Sequence, residues 1–148
     1  MIATAPELAP AVVFSADDQA RVRATLAPVA ADPAGFARDF YARLFDHSPG
    51  LRHLFPADLS VQHLKLSHTL CVVVAGLEDP ESLLPTLRAL GEAHRRYGAK
   101  GVHFLSVGDA LIQTLADRNG PGFEGETRVA WQRLYAWVAN VMQAAARH

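Results

Sequence analysis

Apolar residues recur every three or four positions from Ser15 almost to the C-terminus of this chain. Such spacing places them on one face of an α-helix, whereas a half-buried strand would alternate apolar and polar residues. The apolar run Cys71–Val74 is prone to form a strand, but it lies inside a longer helical period. The sequence therefore predicts an all-α fold.

Helix-capping residues, prolines and glycines divide this pattern into helices. Ser15 begins a first helix that continues through Val29, and Asp32 with Pro33 begins a second one that Pro49 ends. A short helical turn and a loop follow. The remaining helices are predicted at about 60–77, about 80–97 with Gly98 as the stop, 102–118 before the turn at Asn119–Gly122, and about 124–147.

The length of 148 residues suits one domain, which we predict at 14–148 after a flexible N-terminal lead-in at 1–13. No apolar run approaches the roughly 20 residues that a membrane span requires, and the formal charge of −1 argues against nucleic-acid binding. We expect a cytoplasmic protein without membrane or nucleic-acid partners. The single cysteine, Cys71, is expected to pack as a small buried hydrophobe.

Three polar side chains interrupt the apolar faces of three different helices. His94 follows Leu83, Leu87 and Leu90 at helical spacing, and Gln62 and Tyr41 hold similar positions on their own helices. A buried imidazole without partners costs on the order of 1–3 kcal/mol, so a lone histidine of this kind usually bonds a backbone carbonyl. Three such groups together favour one shared site.

Several chemistries lack their motifs in this chain. There is no HExxH motif and no cysteine pair for zinc, and no GxSxG motif or glycine-rich nucleotide loop. A lone histidine that faces a glutamine and a tyrosine among aromatic residues suits haem. His94 would ligate the iron, and Gln62 and Tyr41 would donate hydrogen bonds to a bound gas.

Four blocks of sequence, "FYARLFDHSPGLRHLF", "QHLKL", "LPTLRALGEAH" and "YGAKGVHF", resemble those of globins. The similarity covers about residues 15–145 and is to bacterial single-domain globins akin to the haem domain of flavohaemoglobins. It implies the globin fold around haem b, which is iron protoporphyrin IX. The residues that match the haem site are His94 as proximal ligand, Phe55 against the haem, Gln62 and Tyr41 as distal residues, and Leu66 one turn beyond Gln62. From its place one turn after His94, Tyr97 is expected near the haem edge, and Phe104 is a further expected residue of the site.

Phe104 also marks a departure from the family. In flavohaemoglobin-like globins a tyrosine and a glutamate commonly hydrogen-bond the proximal histidine and increase its imidazolate character. The matching positions here are Phe104 and Ala146, whose side chains cannot form hydrogen bonds. The resemblance therefore implies a weaker electron push on the iron and favours reversible binding. The reductase module of flavohaemoglobins is not expected in this chain.

Some residues keep more than one interpretation. A shift of one residue would make His63 the distal residue, and His63 or Lys65 would ligate the iron if the distal helix moved inward. His103 suits either a haem propionate or the surface. Arg95 and Arg96 would either interact favourably with the C-terminal dipole of their helix or pair with the haem propionates.

The leading functional hypothesis is a haem protein that binds O2 reversibly, for storage, delivery or scavenging. Its expected partners are the diatomic gases O2, NO and CO. One alternative is an NO dioxygenase served by an external reductase, and another is a haem-based gas or redox sensor. The hypothesis without haem is an all-α interaction module whose buried polar groups satisfy one another.

Overall fold

The computed structural model describes residues 14–147, and the predicted lead-in at 1–13 lies outside them. Seven α-helices form this part of the chain, and it contains no strand, so the all-α prediction is confirmed. The helices are α1 (Ala16–Ala24), α2 (Leu26–Ala31), α3 (Pro33–His47), α4 (Ser60–Ala75), α5 (Leu84–Arg96), α6 (Gly101–Asn119) and α7 (Glu126–Ala146). Short 3-10 turns occupy Pro49–Leu54, Pro80–Leu83 and Gly120–Phe123.

Most helix boundaries follow the capping signals of the sequence. The Ser15 hydroxyl accepts a hydrogen bond from the Asp18 amide at 3.0 Å, and Asp32 caps α3 ahead of Pro33. Gly98 has a φ of +89°, a left-handed conformation that glycine adopts at little cost, and it follows the end of α5. These local signals set where the chain turns.

The predicted first helix is interrupted at Thr25, which separates α1 from α2. The Thr25 hydroxyl is buried, donates to the Val22 carbonyl at 2.7 Å and accepts a hydrogen bond from the Trp131 indole at 2.9 Å. This pairing joins positions 106 residues apart. A contact of that range has no signature in the local helical pattern, so periodicity alone predicts one continuous helix.

The core consists of apolar side chains from all seven helices, with α5 packed against α7 and α3 packed against α4 and α6. The α5–α7 contact is close at Gly91, because a Cβ atom there would lie 2.2 Å from the Met142 carbonyl oxygen. A residue larger than glycine at position 91 would therefore push α5 and α7 apart. This contact fixes the position of His94, one turn further along α5.

None of the helices within residues 14–147 is long and apolar enough to cross a membrane. Cys71 lies on α4 and is exposed to solvent, which contradicts the expectation that it packs in the interior. Its neighbours Leu70 and Val73 point into the core, whereas a residue one step beyond Leu70 is rotated by about 100°. The apolar composition around Cys71 was therefore a misleading guide.

Candidate functional site

His94 lies in the last turn of α5 and is half-buried. Its Nδ1 atom is 2.7 Å from the carbonyl oxygen of Leu90, one turn earlier on the same helix. An acceptor at that distance fixes the tautomer, because Nδ1 must carry the proton that it donates. The lone pair of the ring is then on Nε2, which has no hydrogen-bond partner within residues 14–147. Such an arrangement is typical of a metal-ligating imidazole.

Two aromatic rings flank the imidazole of His94. The centre of the Tyr97 ring is 6.2 Å away and that of the Phe104 ring is 6.1 Å away. Phe104 is buried, whereas Tyr97 is 58% exposed. The structure thus brings both predicted residues next to His94, and Tyr97 also forms part of the surface.

A second aromatic cluster surrounds Tyr41 of α3. The Tyr41 ring lies 5.9 Å from the Phe45 ring, 5.7 Å from the Phe55 ring and 5.5 Å from the imidazole of His63. Phe55 reaches this cluster from the loop before α4, and His63 reaches it from the first turn of α4. Three chain segments therefore meet around one phenol.

The Tyr41 hydroxyl remains available as a donor. Burial raises the pKa of Tyr41 to about 12, because the ionised phenolate would lose its solvation. The phenol is therefore neutral and carries its proton at physiological pH. No hydrogen bond from this hydroxyl to another group is present within the described chain, so its proton is available to a ligand.

Gln62 contributes a second polar group that lacks a partner. Its Oε1 atom is fully buried and accepts no hydrogen bond in the described chain. A buried polar atom left in this state costs about 1–3 kcal/mol, and native structures contain few of them. Leu66, one turn further along α4, is half-buried and packs against the core. The unpartnered amide oxygen therefore indicates a site at which a bound ligand or cofactor would supply the missing contact.

His63 and Gln62 both face inward from the first part of α4. The His63 ring stacks on Tyr41 with an angle of 21° between the ring planes, while the Gln62 amide oxygen is buried. Adjacent residues on a helix are about 100° apart, so one broad face can hold both side chains. Lys65 is exposed. The choice between Gln62 and His63 as the distal residue therefore stays a prediction.

Tyr135 also lies next to the site, although the helical pattern of the sequence did not indicate it. Its hydroxyl donates to the carbonyl oxygen of Phe104 at 2.6 Å, and burial raises its pKa. Gly108 makes room for the ring, since a Cβ atom there would lie 2.6 Å from Tyr135 Cε2. The pairing of a glycine on α6 with a tyrosine on α7 was the available signal. Tyr135 holds α7 against the segment of α6 that carries Phe104.

The other predicted candidates have structural or surface positions. His103 accepts a hydrogen bond from the Lys100 amide at 2.9 Å and so caps the start of α6. Arg95 and Arg96 are exposed at the end of α5. The described residues contain no group of three or more His, Cys, Asp or Glu side chains arranged to hold a metal ion.

The sequence profile of the globin family matches residues 38–142, which is more than half of the chain. The chain belongs to the globin family. It is also similar to a flavohemoprotein of Chromobacterium violaceum (strain ATCC 12472), with 23% identity over 133 residues that cover 88% of this chain and 33% of the relative. The chain thus spans about a third of the length of that curated relative.

The structure is similar to that of an engineered carbene transferase made from a candidate nitric oxide dioxygenase of Rhodothermus marinus. The TM-score is 0.80 at 22% sequence identity, and the alignment covers 91% of this chain and 94% of the other. The globin fold prediction is confirmed. As a globin, the chain is a haem-binding and gas-binding protein.

The residues around the two aromatic clusters fit a haem. Nε2 of His94 has a free lone pair, the Tyr41 phenol has a free proton, and Gln62 has a buried amide oxygen without a partner. These are the groups that a gas-binding haem pocket uses on its two sides. The non-haem hypothesis requires that these polar groups satisfy one another, and no hydrogen bond joins His94, Gln62 and Tyr41 within the described chain.

Proposed function

We propose that this globin binds O2 reversibly, with His94 as the proximal ligand of haem b and Tyr41 and Gln62 as distal hydrogen-bonding residues. The single observation that carries the proposal is the tautomer of His94, which leaves Nε2 free for iron. When bound, haem would supply an iron atom that can bind a diatomic gas. The surrounding residues then determine how firmly the gas is held.

His94 is positioned on the proximal side by α5. Its Nδ1–H···O bond to Leu90 orients the ring and raises the basicity of Nε2, but a backbone carbonyl is a weaker acceptor than a carboxylate. Phe104 contacts the same ring and offers only an apolar surface. The electron push on the iron is therefore modest, which favours reversible binding over cleavage of the O–O bond.

On the distal side, the Tyr41 phenol and the Gln62 amide are polar groups among apolar side chains. A bound O2 carries partial negative charge, and a donor to such a charge is worth more in a dry site than in water. The rings of Phe45 and Phe55 pack against the ring of Tyr41. The amide of Gln62 presents either its oxygen or its nitrogen, because the two orientations differ by a rotation of the side chain.

Reversibility can be tested directly on reduced, haem-loaded protein. We expect repeated exposure to air and argon to interconvert two absorption spectra with shared isosbestic points over several cycles. Conversion to the ferric spectrum within the first cycle would contradict a storage or delivery role.

NO dioxygenation is the second candidate function, because the similar Rhodothermus marinus structure derives from a candidate nitric oxide dioxygenase. It oxidises NO with O2 to nitrate and leaves ferric iron, so each turnover consumes one electron from a donor. A single turnover is shared by many globins. Sustained nitrate formation with a cellular reductase would favour the enzyme over the carrier.

Gln62 yields a prediction that separates stability from ligand binding. In the haem-free protein, Gln62→Leu should stabilise the fold by about 1 kcal/mol, since it removes a buried acceptor that has no partner. In the haem-loaded protein the same change should weaken O2 binding. Urea unfolding and O2 titration measure the two effects.

Gln132→Leu, at an exposed position of α7, is the matched control and should change neither quantity. Destabilisation of the haem-free protein by Gln62→Leu would mean that the Gln62 amide is satisfied by another group.

A further inference from the structure

The corner where α5 meets α6 carries basic side chains that have no ionic partners. Arg95, Arg96 and Lys100 are exposed, and none of them makes an ion pair within the described part of the chain. Six other arginines pair with carboxylates, although Arg38 and Arg88 are also exposed without an ion pair in this part of the chain. The paired arginines are Arg21, Arg23, Arg43, Arg118, Arg128 and Arg133.

The charge of this corner is opposite in sign to that of the molecule. Residues 84–103 contain four basic side chains and a single acidic one, Glu92, although the whole chain has a formal charge of −1. Elsewhere, a groove between α3 and α6 is lined by Asp39, Asp46, Asp109 and Asp117 and by a single arginine, Arg43, which pairs with Asp117. An acidic partner would be attracted to the corner and repelled by the groove.

Exposed apolar residues alternate with these cations along the chain. Tyr97 is 58% exposed and Val102 is 63% exposed, although both are large and apolar. An apolar centre with a charged rim is characteristic of protein–protein interfaces. We define Arg95, Arg96, Tyr97, Lys100 and Val102 as the α5–α6 corner.

The α5–α6 corner is continuous with the proximal side of the site. The Tyr97 ring lies 6.2 Å from the His94 ring, and Arg95 and Arg96 follow His94 directly in the chain. A partner seated on Tyr97 would therefore be close to the proposed iron ligand. No other exposed large apolar residue makes a ring contact with His94 within residues 14–147.

We propose that the α5–α6 corner is the docking surface for an acidic electron-transfer protein that reduces this globin. One electron would leave a reduced flavin or iron–sulphur cluster of the partner and convert ferric iron to ferrous iron. The partner would be oxidised by one electron. This inference rests on the proposed function, because gas binding requires ferrous iron and each NO dioxygenation leaves the iron ferric.

The test measures reduction of the ferric, haem-loaded protein by a strongly acidic flavodoxin in its reduced form. Stopped-flow absorption gives the second-order rate constant at low and high ionic strength. Arg96→Glu and Lys100→Glu should each lower this constant at low salt, and the double variant should lower it by about tenfold or more. High salt should remove most of the difference.

Arg38→Glu is the matched control, because it makes the same change of charge at an exposed arginine of α3 that has no ion pair in the described chain. Its rate constant should equal that of the unmodified protein. Equal rate constants for all variants, or the same decrease for Arg38→Glu, would overturn the proposal.

Two other outcomes would also overturn it. If the double variant loses its haem while Arg38→Glu retains it, the cations pair with the haem propionates and do not serve docking. If the rates are equal but the corner is needed for binding to vesicles of anionic phospholipid, the surface contacts a membrane. Absence of haem from the unmodified protein would refute the proposed function itself and is visible before any rate is measured.

Discussion

Replacement of His94 by alanine is expected to abolish stable haem binding. The imidazole is the only candidate ligand on α5, and its Nε2 is free because Nδ1 donates to Leu90. Loss of an outer-shell partner alone typically weakens a metal site by about 10–100-fold, so loss of the ligand itself should exceed that. The ratio of Soret to protein absorbance after gel filtration measures the effect.

Rescue by imidazole distinguishes ligation from a structural role. Free imidazole should enter the space left by the side chain and restore haem retention in the His94→Ala protein. His94→Leu should leave the haem-free fold at least as stable, since its helix face is otherwise apolar, but should not retain haem. His53→Ala, at an exposed position, is the control. Full haem retention by both His94 variants would exclude His94 as the ligand.

Replacement of Tyr41 by phenylalanine should have the largest effect on ligand release. A hydrogen bond to a charged acceptor contributes about 1.5–3 kcal/mol, which corresponds to roughly tenfold or more in the O2 dissociation rate. The raised pKa of Tyr41, about 12, means that the phenol remains the donor across the physiological pH range. Stopped-flow replacement of O2 by CO gives the rate.

Gln132→Leu removes a polar group from an exposed position of α7 and should leave the O2 dissociation rate unchanged. CO dissociation should respond much less than O2 dissociation to Tyr41→Phe, because bound CO carries less negative charge. An unchanged O2 rate in Tyr41→Phe would remove this residue from the distal site.

The sequence predicted the helices well because their determinants are local. Asp32 with Pro33, Pro49 and Gly98 each act on neighbouring backbone, and the apolar spacing identified the buried faces. The break at Thr25 was not predictable in this way, since it depends on a hydrogen bond from Trp131. Local signals specify helices, whereas contacts between distant residues specify how a helix is interrupted.

The candidate site could be proposed from the sequence only where polar residues interrupted apolar rows. This signal identified His94, Gln62 and Tyr41, and the structure shows an unpartnered polar group on each of the last two. It could not choose between Gln62 and His63, because adjacent inward positions on α4 are both compatible with a helical face. The hydrogen bond from Tyr135 to Phe104 was not predictable either, since its acceptor is a backbone carbonyl, and Gly108 indicated only that a large side chain packs there.

The absorption spectrum of the purified protein tests the central claim most directly. We would record it as isolated, after dithionite and after CO. The account predicts a Soret band that shifts on reduction and shifts again with CO, and the visible bands of the reduced form distinguish five-coordinate from six-coordinate iron. A protein without a Soret band, even after incubation with hemin, would contradict the account and would leave His94 as a core histidine bonded to Leu90.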